Sequence, residues 1–169
     1  IGTDDVNARS QMEALLGNRA ELQQRLTLSL ATMMEQPEVD SKRIAAIGFC
    51  FGGLSVLDLA RIGAPVAGVA SFHGLFSAPG NTAGNKITAK ILALHGWDDP
   101  LAPPDSVVAL AKEMSTATAD WQLHADGNTV HAFTNRAAND TTRGTVYDAE
   151  ADRRSWIAME NFLDELFSG

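Results

Sequence analysis

The chain has little cysteine, no long apolar run and an excess of acidic residues. Only one of its 169 residues is cysteine, so no internal disulfide can form and the fold does not depend on an oxidising compartment. Polar or charged residues interrupt every apolar stretch before it reaches the length of a membrane span. The formal net charge of -8 argues against binding to a phosphate backbone, which requires clustered lysine and arginine. We therefore expect neither a nucleic-acid nor a membrane partner.

Motifs for metals and for targeting are also missing. The sequence contains no CxxC, no HExxH and no helix with paired carboxylates, so we expect no metal site. Its start, Ile1-Gly2-Thr3, has neither an initiator methionine nor a signal-peptide pattern. We expect a cytoplasmic protein, and we expect that Ile1 is not the natural start.

Apolar runs of strand length alternate with helical patterns along the chain. Leucines at i+4 spacing predict helical structure over residues 4–36, separated into two helices at Gly17 and ended by Pro37. Strands are predicted at 43–49, 66–74, 90–96 and 121–125, and further helices at 54–61, 103–114 and around 156–166. The first strand is nearly all apolar, which predicts burial on both faces. This alternation predicts one α/β domain over 1–169, with a mostly parallel sheet and helices on both faces.

The single cysteine lies in "GFCFGG", residues 48–53, between a predicted strand and a predicted helix. This is the context of a nucleophile elbow, a tight turn that projects its central side chain, here the thiol of Cys50. Positions two residues away on each side must then be small, which explains Gly48 and Gly52. The N-terminus of the following helix would favour a thiolate, and the N–H of Phe51 could hold an oxyanion.

Two other interpretations of this turn remain open. Cys50 could be a buried packing residue in a glycine-rich turn, or the turn could bind a phosphate. A phosphate loop would favour lysine or more polar neighbours, and this loop has neither.

A thiolate nucleophile needs a base, and the base needs a carboxylate that orients it. Asp98 and Asp99 follow the strand at 90–96, and His131 follows the next strand, so the order is nucleophile, acid, histidine. The alternatives are that the aspartates only form a turn before Pro100 and that His131 is an ordinary loop residue.

The other histidines fit the role of base less well. His73 and His95 end their strands near the same sheet edge and could line a pocket. His124 lies within a strand, where a packed or exposed position is expected rather than a catalytic one.

The chain resembles the dienelactone hydrolase (carboxymethylenebutenolidase-like) family of α/β-hydrolases. The matching stretches are "RIAAIGFCFGG", "VASFHG", "ILALHGWDDPLAPP", "DWQLHADGNTVHAFTN" and "YDAEADRRSWIAMENFLDELF". The resemblance implies an α/β-hydrolase fold and cofactor-free hydrolysis of lactones and esters by a Cys-His-Asp triad. By position it implies Cys50 as nucleophile, His131 as base and Asp99, rather than Asp98, as acid.

We further expect four side chains to contact a small ester or lactone: Phe49, His73, Trp97 and Phe133. Two positions depart from the family pattern. Asn135 stands where members that cleave dienelactone carry arginine, and Asp126 stands where similar sequences often carry tyrosine. These departures argue against dienelactone itself while leaving the chemistry intact.

The strand before Cys50 is the first in this chain, whereas the family places it about fifth. We expect an N-terminal segment or a partner chain to pair with its free edge and to bring the second oxyanion donor. We also allow for a homodimer. The expected function is hydrolysis through a thioester on Cys50. The alternative is a non-catalytic fragment or subunit that acts in binding or assembly.

Overall fold

Four strands form one fully parallel sheet in the computed structural model, which describes residues 4–168. The order in the sheet is the order in the chain: β1 (Ala45–Phe49), β2 (Gly68–Phe72), β3 (Lys90–Gly96) and β4 (Trp121–Asp126). Two short strands, β5 (Asn139–Asp140) and β6 (Thr145–Val146), form a separate antiparallel pair. The predicted parallel sheet is confirmed. The expectation about Ile1 lies outside the described residues.

Five helices surround the sheet: α1 (Asp5–Gly17), α2 (Arg19–Met34), α3 (Phe51–Arg61), α4 (Pro104–Thr116) and α5 (Ala149–Phe167). The break between the first two falls at Asn18, whose side chain accepts a hydrogen bond from the N–H of Glu21 and so caps α2. The third helix begins three residues earlier than expected, directly after Cys50. Among the described residues, none of the helices has the length and apolar character needed to cross a membrane.

Each face of the sheet carries its own apolar core, because side chains alternate along a strand. On one face, Val69, Ile91 and Ala93 pack with side chains from α2, α3 and α4, such as Leu57 and Leu110. On the other face, α5 covers the sheet. That core contains Ala70, Phe72, Leu92, Leu94, Phe133, Met159 and Phe162. The expected helices on both faces are confirmed.

β1 forms one edge of the four-stranded sheet, and its outer side has no partner among residues 4–168. The prediction that this strand is buried on both faces is wrong, because Ile47 and Phe49 are each 41% exposed. Both side chains lie on the same face of the sheet as α5. They continue the apolar surface of that core to the edge strand, where they remain exposed. The expected unpaired edge is therefore present in the described structure.

A buried ionic network ties the helices of the first face together. The carboxylate of Asp58 in α3 accepts hydrogen bonds from Arg19 in α2 and from Arg61 one turn further on. Arg61 is 1% exposed and also binds Glu113 of α4 and the carbonyl of Phe76. Each buried charge is thus paired, which offsets the cost of removing it from water. The network fixes α3, and with it the turn that carries Cys50.

Candidate active site

Cys50 occupies a strained turn between β1 and α3. Its backbone has φ 53° and ψ -117°, a conformation that non-glycine residues rarely adopt and that costs of order 1–3 kcal/mol. The Cys50 N–H donates to the carbonyl of Phe72 at the end of β2, at 3.0 Å. The residue also stands at the N-cap of α3, so the free N–H groups of the first helical turn lie beside it. The geometry is that of a nucleophile elbow.

Close backbone contacts explain two of the glycines around this turn. A Cβ on Gly48 would lie 2.0 Å from the carbonyl oxygen of Gly52. A Cβ on Gly53 would lie 2.8 Å from the Cα of Gly74, which follows β2. The expectation that Gly52 itself must be small is wrong, because an added Cβ there meets nothing within 4 Å. Space is limiting at Gly48 and Gly53.

His131 and Asp99 form a buried hydrogen-bonded pair. The Nδ1 of His131 lies 2.7 Å from Oδ2 of Asp99, and the two residues are 3% and 1% exposed. The other carboxylate oxygen, Oδ1, accepts from the N–H of Leu101 at 2.8 Å, which fixes its orientation. Asp98 is exposed on the surface. Of the two candidate acids, Asp99 is the one beside the histidine.

The backbone of His131 is held by the short hairpin of β5 and β6. Its N–H donates to the carbonyl of Gly144 at 3.0 Å, and its own carbonyl accepts from Val146 at 3.1 Å. The sequence reasoning missed these supports, since strands of two residues leave no periodic pattern. The one available signal was Gly144, whose φ of 63° suits glycine.

The thiol of Cys50 and the ring of His131 stabilise each other's charged forms. Hydrogen bonding to His131 lowers the pKa of Cys50, although burial opposes this; the Phe51 N–H lowers it further. Burial disfavours charge on His131, but Asp99 and Cys50 outweigh it and raise its pKa to about 9. The Nε2 of His131 is buried and makes no other hydrogen bond within residues 4–168, so it is left to interact with the sulfur. The arrangement favours a thiolate beside an imidazolium.

The four expected substrate contacts differ in exposure. Trp97 and Phe49 are both exposed, at 42% and 41%, and Phe49 directly precedes Cys50. His73 and Phe133 are buried, and their rings meet edge-on with centroids 5.2 Å apart. His73 also lies against His131, at 5.1 Å between centroids. Because both rings are buried, they offer almost no surface to a substrate in the described structure. His73 contacts the ring of His131, and Phe133 contacts that of His73.

The other two histidines lie outside this cluster. His95 is buried, and its ring packs 5.1 Å from that of Phe76. His124 is exposed on β4, as expected. No group of three or more His, Cys, Asp or Glu side chains within residues 4–168 is arranged to hold a metal ion.

Thr134 is a further residue that the sequence did not single out. Its Oγ1 lies 2.9 Å from Nε2 of His73, which joins the loop of His131 to the end of β2. The two residues are 61 positions apart, and neither carries a local pattern that would have predicted the pair.

A parallel sheet with a strained strand–helix turn at Cys50, followed by an aspartate and a histidine on later loops, is the pattern of an α/β-hydrolase. The model of the dienelactone hydrolase family matches residues 2–167, and the chain belongs to that family. It is therefore a hydrolase, and the family supports the hydrolysis of small esters or lactones.

Individual relatives agree with this assignment. The chain is 41% identical to a dienelactone hydrolase-like promiscuous phosphotriesterase from metagenomic libraries, with a TM-score of 0.87 over 96% of this chain and 69% of that one. An uncharacterised protein of Caenorhabditis elegans is 32% identical over 88% of this chain and 96% of its own length. A protein of Saccharolobus solfataricus, provisionally named carboxymethylenebutenolidase, is 28% identical over 94% of this chain, which spans 59% of that relative.

The glycine contacts predict an asymmetry between two neighbouring substitutions. We expect Gly48→Ala to lower the free energy of unfolding by more than about 2 kcal/mol, because its Cβ would collide with backbone. Gly52→Ala, in open space at the start of a helix, should leave stability unchanged or raise it by up to about 1 kcal/mol. Urea unfolding of both variants measures the difference, and equal losses would contradict the described turn.

Proposed function

We propose that the chain hydrolyses small lactones or activated carboxylic esters, with Cys50 as nucleophile, His131 as acid and base, and Asp99 as the carboxylate that orients His131. The observation that carries the proposal is the buried 2.7 Å contact between Asp99 and Nδ1 of His131, with Nε2 left for the thiol. A carboxylate on Nδ1 sets the ring's orientation and supports its positive charge.

In the first half of the reaction, the Cys50 thiolate attacks the ester carbonyl carbon and a C–S bond forms. The carbonyl oxygen becomes an oxyanion, which the N–H of Phe51 at the start of α3 is placed to hold. The intermediate collapses with cleavage of the C–O bond. The His131 imidazolium gives its proton to the departing alkoxide or enolate, leaving a thioester on Cys50.

In the second half, neutral His131 accepts a proton from water, whose oxygen attacks the thioester carbonyl. Cleavage of the C–S bond releases the carboxylic acid and restores the thiolate beside the imidazolium. An amine leaves less readily than an alkoxide or enolate, so esters and lactones are favoured over peptides.

A single N–H is a weak oxyanion site, and we propose that a further segment or a partner chain supplies the second donor. The unpaired outer side of β1 supports this, since a strand added there would lie next to the Cys50 turn. The expected cytoplasmic location and the homodimer stay predictions.

A phosphate triester is a second candidate substrate. The 41% identity to a promiscuous phosphotriesterase favours it. The attack would then form an S–P bond as the P–O bond to the leaving group breaks, and the His131 imidazolium would protonate the departing oxygen. Water that gives a proton to neutral His131 would afterwards cleave the S–P bond and release the phosphate diester. Parallel assays with a nitrophenyl acetate and a nitrophenyl dialkyl phosphate compare the two activities.

The test of the proposal is turnover of a model ester by the wild type, Cys50→Ala and Cys50→Ser. We expect hydrolysis by the wild type, background rates for Cys50→Ala and weak residual activity for Cys50→Ser, because a hydroxyl at the same place is a poorer nucleophile. Release of nitrophenolate from a nitrophenyl ester is the measurement.

A wild-type chain that is no faster than Cys50→Ala would overturn the proposal. The alternative, a non-catalytic subunit for binding or assembly, would then be the better account. Circular dichroism of all three proteins establishes that any difference arises from the side chain rather than from the fold.

The raised pKa of His131 predicts an alkaline limit to activity. The imidazolium that protonates the leaving group is present below about 9 and is lost as the pH rises through that value, so kcat/KM should fall there. Asp99→Asn removes a charge that holds this proton, and the alkaline limb should move to lower pH. We also expect a loss of about a hundredfold or more in kcat/KM at the optimum.

Asp98→Asn is the matched control, since it removes the neighbouring, exposed carboxylate. Its pH profile should superimpose on that of the wild type. An alkaline limb that stays in place in Asp99→Asn, or that moves equally in Asp98→Asn, would contradict the assigned roles.

A further inference from the structure

We propose that His73 is a positioning residue, which holds the ring of His131 over Cys50 by joining the end of β2 to the loop that carries His131. The inference rests on the proposed function and extends it to a side chain that does not need to touch the substrate. Four independent observations support it: the backbone of His73, the contacts of its ring, its hydrogen bond to Thr134, and its charge.

The backbone of His73 is forced into an unusual conformation and is held there. Its φ of 36° is one that residues with a side chain rarely adopt. The N–H donates to the carbonyl of Leu94 at 2.8 Å, which fixes the residue to β3. The next residue, Gly74, is pressed against Gly53 in the first turn of α3. The strain is thus maintained by the same helix start that follows Cys50, as is common at functional sites.

The ring of His73 is enclosed and cannot move independently of His131. It is 3% exposed and meets the rings of His131 and Phe133 edge-on, at 5.1 and 5.2 Å between centroids. Phe49 lies on another side, at 6.0 Å. A ring packed in this way limits the sideways motion of the His131 imidazole.

The hydrogen bond between His73 and Thr134 gives the loop of His131 a second attachment to the sheet. Thr134 follows His131 by three residues, and its Oγ1 lies 2.9 Å from Nε2 of His73. The loop of His131 is therefore fastened on one side by the β5–β6 hairpin and on the other by His73. Small displacements of such a base cost large factors in rate, so a second fastening has a clear use.

The charge state of His73 also fits this role. Burial and the neighbouring His131 lower the pKa of His73 to about 4, so its ring is neutral when His131 is charged. The other ionisable groups that act on the pair are Cys50 and Asp99, while burial and the charge of His131 lower the pKa of His95. A neutral ring excludes water from the imidazolium without repelling it.

The competing explanation is that His73 only fills space in the core. That explanation predicts effects on stability alone. Positioning predicts that the interaction between Cys50 and His131 weakens in a folded variant, which raises the pKa of Cys50 towards that of an ordinary thiol. The pH dependence of thiol alkylation separates the two explanations.

The experiment measures the rate at which iodoacetamide alkylates Cys50 as a function of pH, in the wild type, Thr134→Val, His73→Phe and His73→Ala. The wild-type inflection should lie below that of an ordinary cysteine. Thr134→Val and His73→Phe keep the packing but lose the hydrogen bond, so both inflections should move to higher pH. His73→Ala should move it further. For each variant we expect kcat/KM to fall about tenfold or more through kcat, with little change in KM.

His124→Ala is the matched control, because it removes an exposed histidine outside the site. Its inflection should equal that of the wild type. If the other variants are folded and their inflections also stay at the wild-type value, His73 is a packing residue and the inference is overturned. Should His73→Ala fail to fold, Thr134→Val decides by itself, since the loss of one partly buried hydroxyl leaves the core filled.

Alkylation requires no ester, so failure of this inference is distinguishable from failure of the proposed function. Shifted inflections in a chain that hydrolyses no ester would support the positioning role and overturn only the proposed hydrolysis. Hydrolysis by the wild type, with inflections that stay at the wild-type value in the folded variants, would support the proposed function and overturn only the positioning role.

Discussion

The hydrogen bond between His131 and Asp99 is the interaction on which the site depends. It is short, buried and charge-assisted when the ring is protonated, and such bonds are among the strongest that side chains form. It raises the pKa of His131 against the penalty of burial, and the charged ring in turn lowers the pKa of Cys50. Without it, burial would lower the pKa of His131, and the charged ring that lowers the pKa of Cys50 would be disfavoured.

Backbone contacts that only glycine permits bring these side chains within reach of one another. Gly48 lets the Cys50 turn close on itself, and Gly53 and Gly74 let the end of β2 lie directly on the start of α3. Parallel strands then place their carboxyl ends at one edge of the sheet, where the loops with Asp99 and His131 meet the thiol. Within residues 4–168 the same architecture leaves the outer side of β1 unpaired, next to the Cys50 turn.

The sequence predicted the order of strands and helices because apolar runs and helical stripes are local signals. It also put forward Cys50, His131 and Asp99, since residue type and chain order limit the choice within an α/β-hydrolase pattern; the structure pairs His131 with Asp99, and the catalytic roles stay predictions. Prediction from the sequence failed for features that depend only on contacts between residues far apart in the chain. The exposure of Ile47 and Phe49 on β1 depends on what covers that face of the sheet, and the burial of Phe133 depends on α5. The free space at Gly52 depends on where the surrounding groups lie in the folded chain. The hydrogen bond between His73 and Thr134 joins residues that are 61 positions apart in the sequence.

The most direct test of the account is the intact mass of the protein during brief exposure to an activated ester. Formation of a thioester predicts a gain of one acyl group in the wild type, lost again on standing in water and absent from Cys50→Ala. A thioester is expected to accumulate when acylation by a good leaving group outpaces hydrolysis. Rapid turnover of the same ester with no adduct on Cys50 at any time, or an adduct that also forms in Cys50→Ala, would contradict the account.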